Sequence, residues 1–258
     1  QDASLVITGF SRWINYYLEG YRWMLENYHI DGLYMDDVAF DRDVMKRMRK
    51  IMEQYRPGSL IDLHSNTGYS VGPMNQYTGF FPYVDRLWFG ESFQYDKMMP
   101  DEWFVTFSGI PFGVMSETLQ GGGNRWLGMV YGAANRHSWT SVSPAPIWKV
   151  WKDFGIIDAK MIGYWDGHCP VTTDQELVKA TAYVKPGQVL VSIGNFDTQD
   201  HDVQLNINWK SLGFGPKDAV IEAPEVKDFQ EPTTWKIGQA IPVKAKRGWL
   251  LIIRKKGV

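Results

Sequence analysis

One cysteine, Cys169, stands in 258 residues, so the chain has neither an internal disulfide framework nor a cysteine-rich zinc site. An excess of positive charge is missing too: 27 Lys and Arg against 29 Asp and Glu give a net charge of −2. Without a basic balance or a basic cluster, a phosphate backbone finds little to attract it, and no nucleic-acid partner is expected. No apolar run approaches the ~20 residues that span a bilayer, so no membrane partner is expected either. The sequence opens at Gln1, with neither Met nor a leader-like apolar core, and reads as processed or as a fragment. Nucleotide-binding signatures are missing: no Gly-x-Gly-x-x-Gly follows a strand pattern, and there is no Walker-type loop. His-Glu-x-x-His and His-x-His spacings are absent, which argues against a zinc hydrolase, and no Gly-x-Ser-x-Gly elbow supports a serine nucleophile. No metal and no cofactor is expected.

Aromatic residues, by contrast, are plentiful. They make up 15% of the chain, and 12 of them are Trp. Such rings either fill a large core or line a cleft and stack on flat apolar faces. With the charge balance against nucleic acid, a sugar is the better candidate for such a face.

The pattern along the chain predicts four strand–helix units. Ile14, Tyr17, Leu18, Tyr21, Leu25 and Tyr28 recur at helical spacing, and Ser11 can cap that helix. A short apolar strand follows at 30–35. Asp41 can cap a second helix with the stripe Val44, Met48, Ile51, Met52 and Tyr55, which Pro57-Gly58 stops. Strands are predicted at 60–66, 86–89 and 111–115, with helices at 100–107 and about 124–136. Strands alternating with helices pair in parallel, and with the nucleotide-binding signatures absent a (β/α)8-type TIM barrel is favoured. Such a barrel takes ~250 residues when complete. Only four units precede residue 140, so the expectation is the carboxy-terminal part of a barrel, incomplete, over residues 1–170, with the amino-terminal half missing from this chain. Trp148, Trp151, Phe154 and Ile157 suggest a short helix in the connection. From about Glu176 short β-rich runs at 180–184, 189–193, 203–207, 219–221 and 249–253 predict a small antiparallel β-sandwich, assigned to residues 171–258.

Catalytic side chains of such barrels sit at the carboxy-terminal ends of the strands. Here the first strand ends in Asp36-Asp37, the third in Glu91 and the fourth in Glu117. On the second, Asp62, His64 and Asn66 alternate with Ile61 and Leu63 and so share one face. Three polar groups on one face of a dry barrel are costly unless they bond a ligand or one another. A ring of carboxylates suits glycoside hydrolysis, which needs one to stabilise charge or attack and another to protonate the leaving oxygen. It also leaves open divalent-metal chemistry at Asp36, Asp37, Asp62 and His64. The Gly121-Gly122-Gly123 run reads as a loop over the barrel mouth, or as a cradle for an anion at a helix start.

The stretch from Asp31 to Arg42, Asp31-Gly32-Leu33-Tyr34-Met35-Asp36-Asp37-Val38-Ala39-Phe40-Asp41-Arg42, resembles glycosidase TIM barrels whose Asp-Gly-apolar-x-apolar-Asp strand ends in the catalytic Asp, with Asp36 as the match. Together with Leu60-Ile61-Asp62-Leu63-His64-Ser65, Asp85-Arg86-Leu87-Trp88-Phe89-Gly90-Glu91, and Gly109-Ile110-Pro111-Phe112-Gly113 with Gly121-Gly122-Gly123-Asn124, the sequence is similar to bacterial proteins related to glycoside hydrolase family 123, the β-N-acetylgalactosaminidase group. The resemblance covers nearly the whole chain and implies a secreted or periplasmic protein. In that family an adjacent Asp-Glu pair works with the substrate's own acetamido group. The Asp orients that group and the Glu protonates the leaving oxygen. This sequence carries Asp36-Asp37 there, so the donor is expected across the barrel, at Glu91 first, with Glu117 and Asp37 in reserve. Tyr34 and Trp88 are candidate stacking rings, and Asp62, His64 and Asn66 are candidates for binding hydroxyls. The expectation is a glycosidase acting on oligo- or polysaccharides. Its rivals are a noncatalytic carbohydrate-binding protein or inactive barrel fragment, and a metal-dependent enzyme on acidic sugars.

Overall fold

The computed structural model describes residues 11–35, 40–64, 79–88, 94–118, 123–133 and 142–256. Chain contacts divide it into two units, one formed by Gln1–Phe93 and Glu102–Leu119, the other by Gln94–Asp101 and Gln120–Val258. Among the described residues no helix is long and apolar enough to cross a membrane.

The first unit begins with helix α1, Arg12–Tyr28, whose N-cap Ser11 accepts from the backbone N–H of Ile14. Its buried positions Ile14, Leu18, Tyr21 and Leu25 fall on one helical face. Strand β1, Gly32–Met35, follows. Gly32 is needed at its start, because a Cβ there would lie 2.6 Å from the Leu60 carbonyl oxygen on the neighbouring strand. Helix α2, Arg42–Tyr55, buries Val44, Met45, Met48 and Met52 and packs on α1. The Asp41 carboxylate caps α2 by accepting from Val44 N–H at 2.8 Å. Removing a cap of this kind costs about 1 kcal/mol. Asp41→Ala is therefore expected to lower stability by that amount in a denaturant titration, with no change in slope.

Strands β2 (Leu60–His64), β3 (Arg86–Trp88) and β4 (Met115–Glu117) complete a four-stranded sheet in the order β1-β2-β3-β4, every pair parallel. Among the described residues nothing pairs β4 back to β1, so the sheet is open. At the amino-terminal ends of the strands, Arg49 of α2 donates to the carbonyls of Tyr83 and Ser59 and pairs with Asp85, whose Oδ2 accepts from Ile61 N–H. That network holds α2 to the entries of β2 and β3. Asp85 is thus a structural acid.

The fourth strand begins later than the sequence suggests. Residues 110–112 form a 3₁₀ turn, Ile110–Phe112, flanked by Gly109 and Gly113, each at φ 71°, and β4 starts only at Met115. Two left-handed glycines so close together break any extended run across 111–115. The helix predicted at 100–107 opens as a single α turn, α3 (Pro100–Glu102), then widens into a π-helical segment, Trp103–Phe107.

The second unit is sheet-rich. Its helix α4, Arg125–Val130, is shorter than the predicted 124–136: Asn124 caps it, and Gly132, at φ 75°, follows its end. Helix α5, Ala145–Phe154, carries Trp148, Trp151 and Phe154, and Ile157 lies in the 3₁₀ turn Ile156–Asp158 beyond it. The strands are β5 (Lys160–Ile162), β6 (Val171–Thr173), β7 (Val178–Lys185), β8 (Gln188–Asn195), β9 (His201–Val203), β10 (Leu205–Ile207), β11 (Ala219–Ala223), β12 (Thr233–Trp235), β13 (Ile241–Val243) and β14 (Gly248–Lys255). Six of them form an antiparallel sheet in the order β12-β11-β14-β8-β7-β5, beside the pairs β10-β6 and β13-β9. The β-rich run 203–207 is not one strand. At Gln204, tied to Asp174 by two backbone-centred bonds, the chain changes partner from β13 to β6.

Candidate active site

Register decides which side chains meet. In a parallel sheet, partnered residues point to the same face. Leu63, Leu87 and Ser116 form one row, and with Leu33 and Ile61 they occupy one face. Ile61, Leu63, Leu87 and Ser116 are all buried. The opposite face carries two rows: Tyr34, Asp62, Arg86 and Met115, then His64, Trp88 and Glu117. Polar and aromatic groups from all four strands thus lie on one side, at the end where the strands finish.

Arg86 organises this face. Its Nη2 donates to Asp62 Oδ2 at 2.7 Å, and its Nη1 lies 2.9 Å from Glu117 Oε1. The two carboxylates are 14% and 12% exposed, so the fork spans three strands within a mostly dry layer. Burial works against the charge of Arg86, but the hydrogen bond to Asp62 and the charges of Glu117 and Asp62 outweigh it and raise its pKa. Two carboxylates thus converge on one guanidinium on this face. Negative charge held in place is what a positively charged sugar-like transition state would use. Asp62 Oδ1 is buried without a hydrogen-bond partner among the described residues, as is Arg86 Nε.

The rings gather beside this fork. His64 and Trp88 lie with centroids 4.0 Å apart, and Tyr34 is 6.3 Å from each. Trp88 shares the face of Asp62, His64 and Glu117. It is 4% exposed, whereas Tyr34 is 39% exposed. Tyr34 is therefore the ring open to a ligand, and Trp88 backs His64.

Of the residues predicted from sequence, the structure brings together Tyr34, Asp62, His64, Trp88 and Glu117. Asp36, Asp37, Asn66 and Glu91 lie outside the described residues, as do Gly121 and Gly122. Arg86 is the residue of this face that strand-end reading misses, because it sits two positions before the end of its strand. The alternation that links Asp62 to His64 also links Arg86 to Trp88, and that was the available signal. Among the described residues no three of His, Cys, Asp and Glu come together around a common point for a metal.

Comparison with known proteins adds a family. A model described as glycoside hydrolase 123, TIM-barrel domain, matches residues 1–138, and one described as glycoside hydrolase 123, C-terminal domain, matches residues 143–254. No curated protein matches the sequence. Among solved structures, the chain is similar to the α-amylase of Geobacillus thermoleovorans complexed with acarbose, at 9% identity and a TM-score of 0.59, covering 94% of this chain and 64% of that one. An α-amylase from Anoxybacillus gives 9% identity and a TM-score of 0.57, covering 95% of this chain and 63% of that one. A β-L-arabinopyranosidase of Geobacillus stearothermophilus in complex with arabinose gives 12% and 0.54, covering 95% and 62%. The chain spans less than two thirds of each of these proteins. At such identities the likeness is one of fold: a TIM-barrel-like glycoside hydrolase architecture with a sheet-rich carboxy-terminal part.

Proposed function

Because the chain belongs to glycoside hydrolase family 123, we propose that it serves a glycosidase that cleaves bonds in oligo- or polysaccharides with carboxylates at the ends of its barrel strands. The observation that carries this reading is the single face shared by Asp62, Arg86 and Glu117 with Tyr34, His64 and Trp88. Asp36 follows directly on Met35, the last residue of β1. Asp36 is then the nucleophile, or the stabiliser of the oxocarbenium-like centre. Glu91, three residues beyond Trp88, is the proton donor.

Glu117 is engaged by the Arg86 guanidinium at 2.9 Å, which keeps it in reserve as a donor. Asp37 is one methylene shorter than the Glu of the family's pair, which leaves Glu91 as the first candidate acid. Asp62, His64 and Asn66 bind hydroxyls, and Tyr34 stacks on a ring face.

The test is a screen of the full-length protein on aryl glycosides, amino sugars included. Glu91→Gln is expected to slow poor leaving groups by about 10²–10⁴-fold and to spare 2,4-dinitrophenyl glycosides, which need no protonation on departure. Equal losses on both kinds of substrate would remove Glu91 from the donor role. No hydrolysis of any aryl glycoside by the full-length protein would leave the noncatalytic carbohydrate-binding reading in place.

A further inference from the structure

The sheet-rich unit contains a cavity of about 470 Å³ that the catalytic reading does not use. One wall is apolar: Trp249 of β14, with Phe229 and Pro242. The Trp249 ring is fixed, because its Nε1 donates to the Pro242 carbonyl at 2.7 Å and Trp235 packs edgewise against it at 5.1 Å. Around this wall stand four exposed charges of both signs, Lys244 and Arg247 against Asp228 and Glu231.

The Arg247 charge is held in position rather than left to sweep through solvent, and the backbone of Asp228 is fixed. The Arg247 guanidinium lies 4.8 Å from the centre of the Trp126 ring, which itself stacks on Phe229 at 5.1 Å and 14°. Asp228 sits in a left-handed turn, at φ 59°, and Arg125 donates to its carbonyl oxygen. A guanidinium stacked on an aromatic face loses less freedom when it then donates to a ligand.

We propose that this cavity is a second, noncatalytic saccharide site for a neutral oligosaccharide. A sugar ring offers an apolar face edged by hydroxyls that both donate and accept. Trp249 and Pro242 meet the face, Lys244 and Arg247 donate, and Asp228 and Glu231 accept. An acidic ligand would be repelled by the two carboxylates as much as it is drawn by the two cations. A charge on the ligand thus gains nothing net, whereas a neutral polyol can bond all four. A wholly apolar ligand would strip water from four charges and return nothing. The volume lies within the ~300–1,000 Å³ of small-ligand sites. The choice of ligand rests on the proposed function, whereas the cavity does not.

The test is an array of immobilised neutral, acidic and sulfated glycans probed with the full chain carrying Asp36→Asn, which prevents turnover during the assay. At least one neutral oligosaccharide is expected to bind, and adding Lys244→Ala with Arg247→Ala is expected to weaken it at least tenfold. Both replaced residues are exposed, and the pair is expected to leave aryl glycoside hydrolysis by the otherwise unaltered protein unchanged. No neutral glycan bound, binding restricted to acidic or sulfated glycans, or binding that the double replacement leaves intact would each overturn the proposal. Glycan binding lost through Lys244 and Arg247 in a protein that hydrolyses nothing would sink the glycosidase reading alone. Hydrolysis without this binding would sink the second site alone.

Discussion

Asp36→Asn is expected to abolish glycoside hydrolysis by the full-length protein while leaving its unfolding transition where it was. Asn keeps the size of the side chain and removes the charge. Whether Asp36 attacks the anomeric carbon or stabilises the positive charge that develops there, the loss falls on the transition state, so kcat drops and KM changes little. A loss of about 10³-fold or more corresponds to roughly 4 kcal/mol of transition-state stabilisation. Initial rates on an aryl glycoside, set beside a denaturant melt of the same preparation, check both halves. Unchanged turnover would remove Asp36 from the chemistry, and lost turnover together with a collapsed melt would point to folding instead.

Arg86→Met should have the second-largest effect, on stability and on activity together. The replacement leaves Asp62 and Glu117 facing each other across the sheet without the cation that now bridges them. Removing one member of a buried ion pair costs ~3–5 kcal/mol, but Arg86 is 38% exposed and water screens part of that loss. A destabilisation of about 2 kcal/mol is the expected value. Arg86→Lys should recover only part of it, since a single ammonium lacks the planar fork that reaches both carboxylates. Adding Glu117→Gln to Arg86→Met removes one of the two like charges and should restore some stability, a coupling that a double-mutant cycle measures. If the two replacements add without coupling, the ion-pair contact carries no energy and the face is not organised as described.

Much of this arrangement was legible before any coordinates. The alternation Asp62, Leu63, His64 set the sidedness of β2, and the helical stripes are buried at Ile14, Leu18, Tyr21 and Leu25 of α1 and at Val44, Met48 and Met52 of α2, while Tyr28 and Tyr55 at the helix ends are exposed. Glu117 lies at its strand end as read, although β4 itself starts only at Met115, where the apolar pattern was expected to finish. Gly109 and Gly113 are the cause, and composition alone does not reveal that both adopt positive φ. The Arg86 fork was not legible, because a basic residue inside a short strand reads as an edge until register sets Asp62 beside it and Trp88 beside Glu117. In the sheet-rich unit the eight-residue strands β7, β8 and β14 announced themselves. By contrast β5, β6, β12 and β13 have three residues each and too little periodicity to detect. The split of 203–207 between two partners is a tertiary choice that a continuous alternation of apolar and polar residues conceals.

A crystal structure of the full-length Asp36→Asn protein with an unhydrolysed aryl glycoside tests the shared mouth most directly. A sugar ring is expected to lie on Tyr34, with a hydroxyl within hydrogen-bond distance of Asp62 Oδ1. The replaced side chain at position 36 and the Glu91 carboxyl are expected to stand on opposite sides of the scissile bond. A sugar bound away from Tyr34 and Asp62, or side chains 36 and 91 directed to different faces of the sheet, would contradict that arrangement.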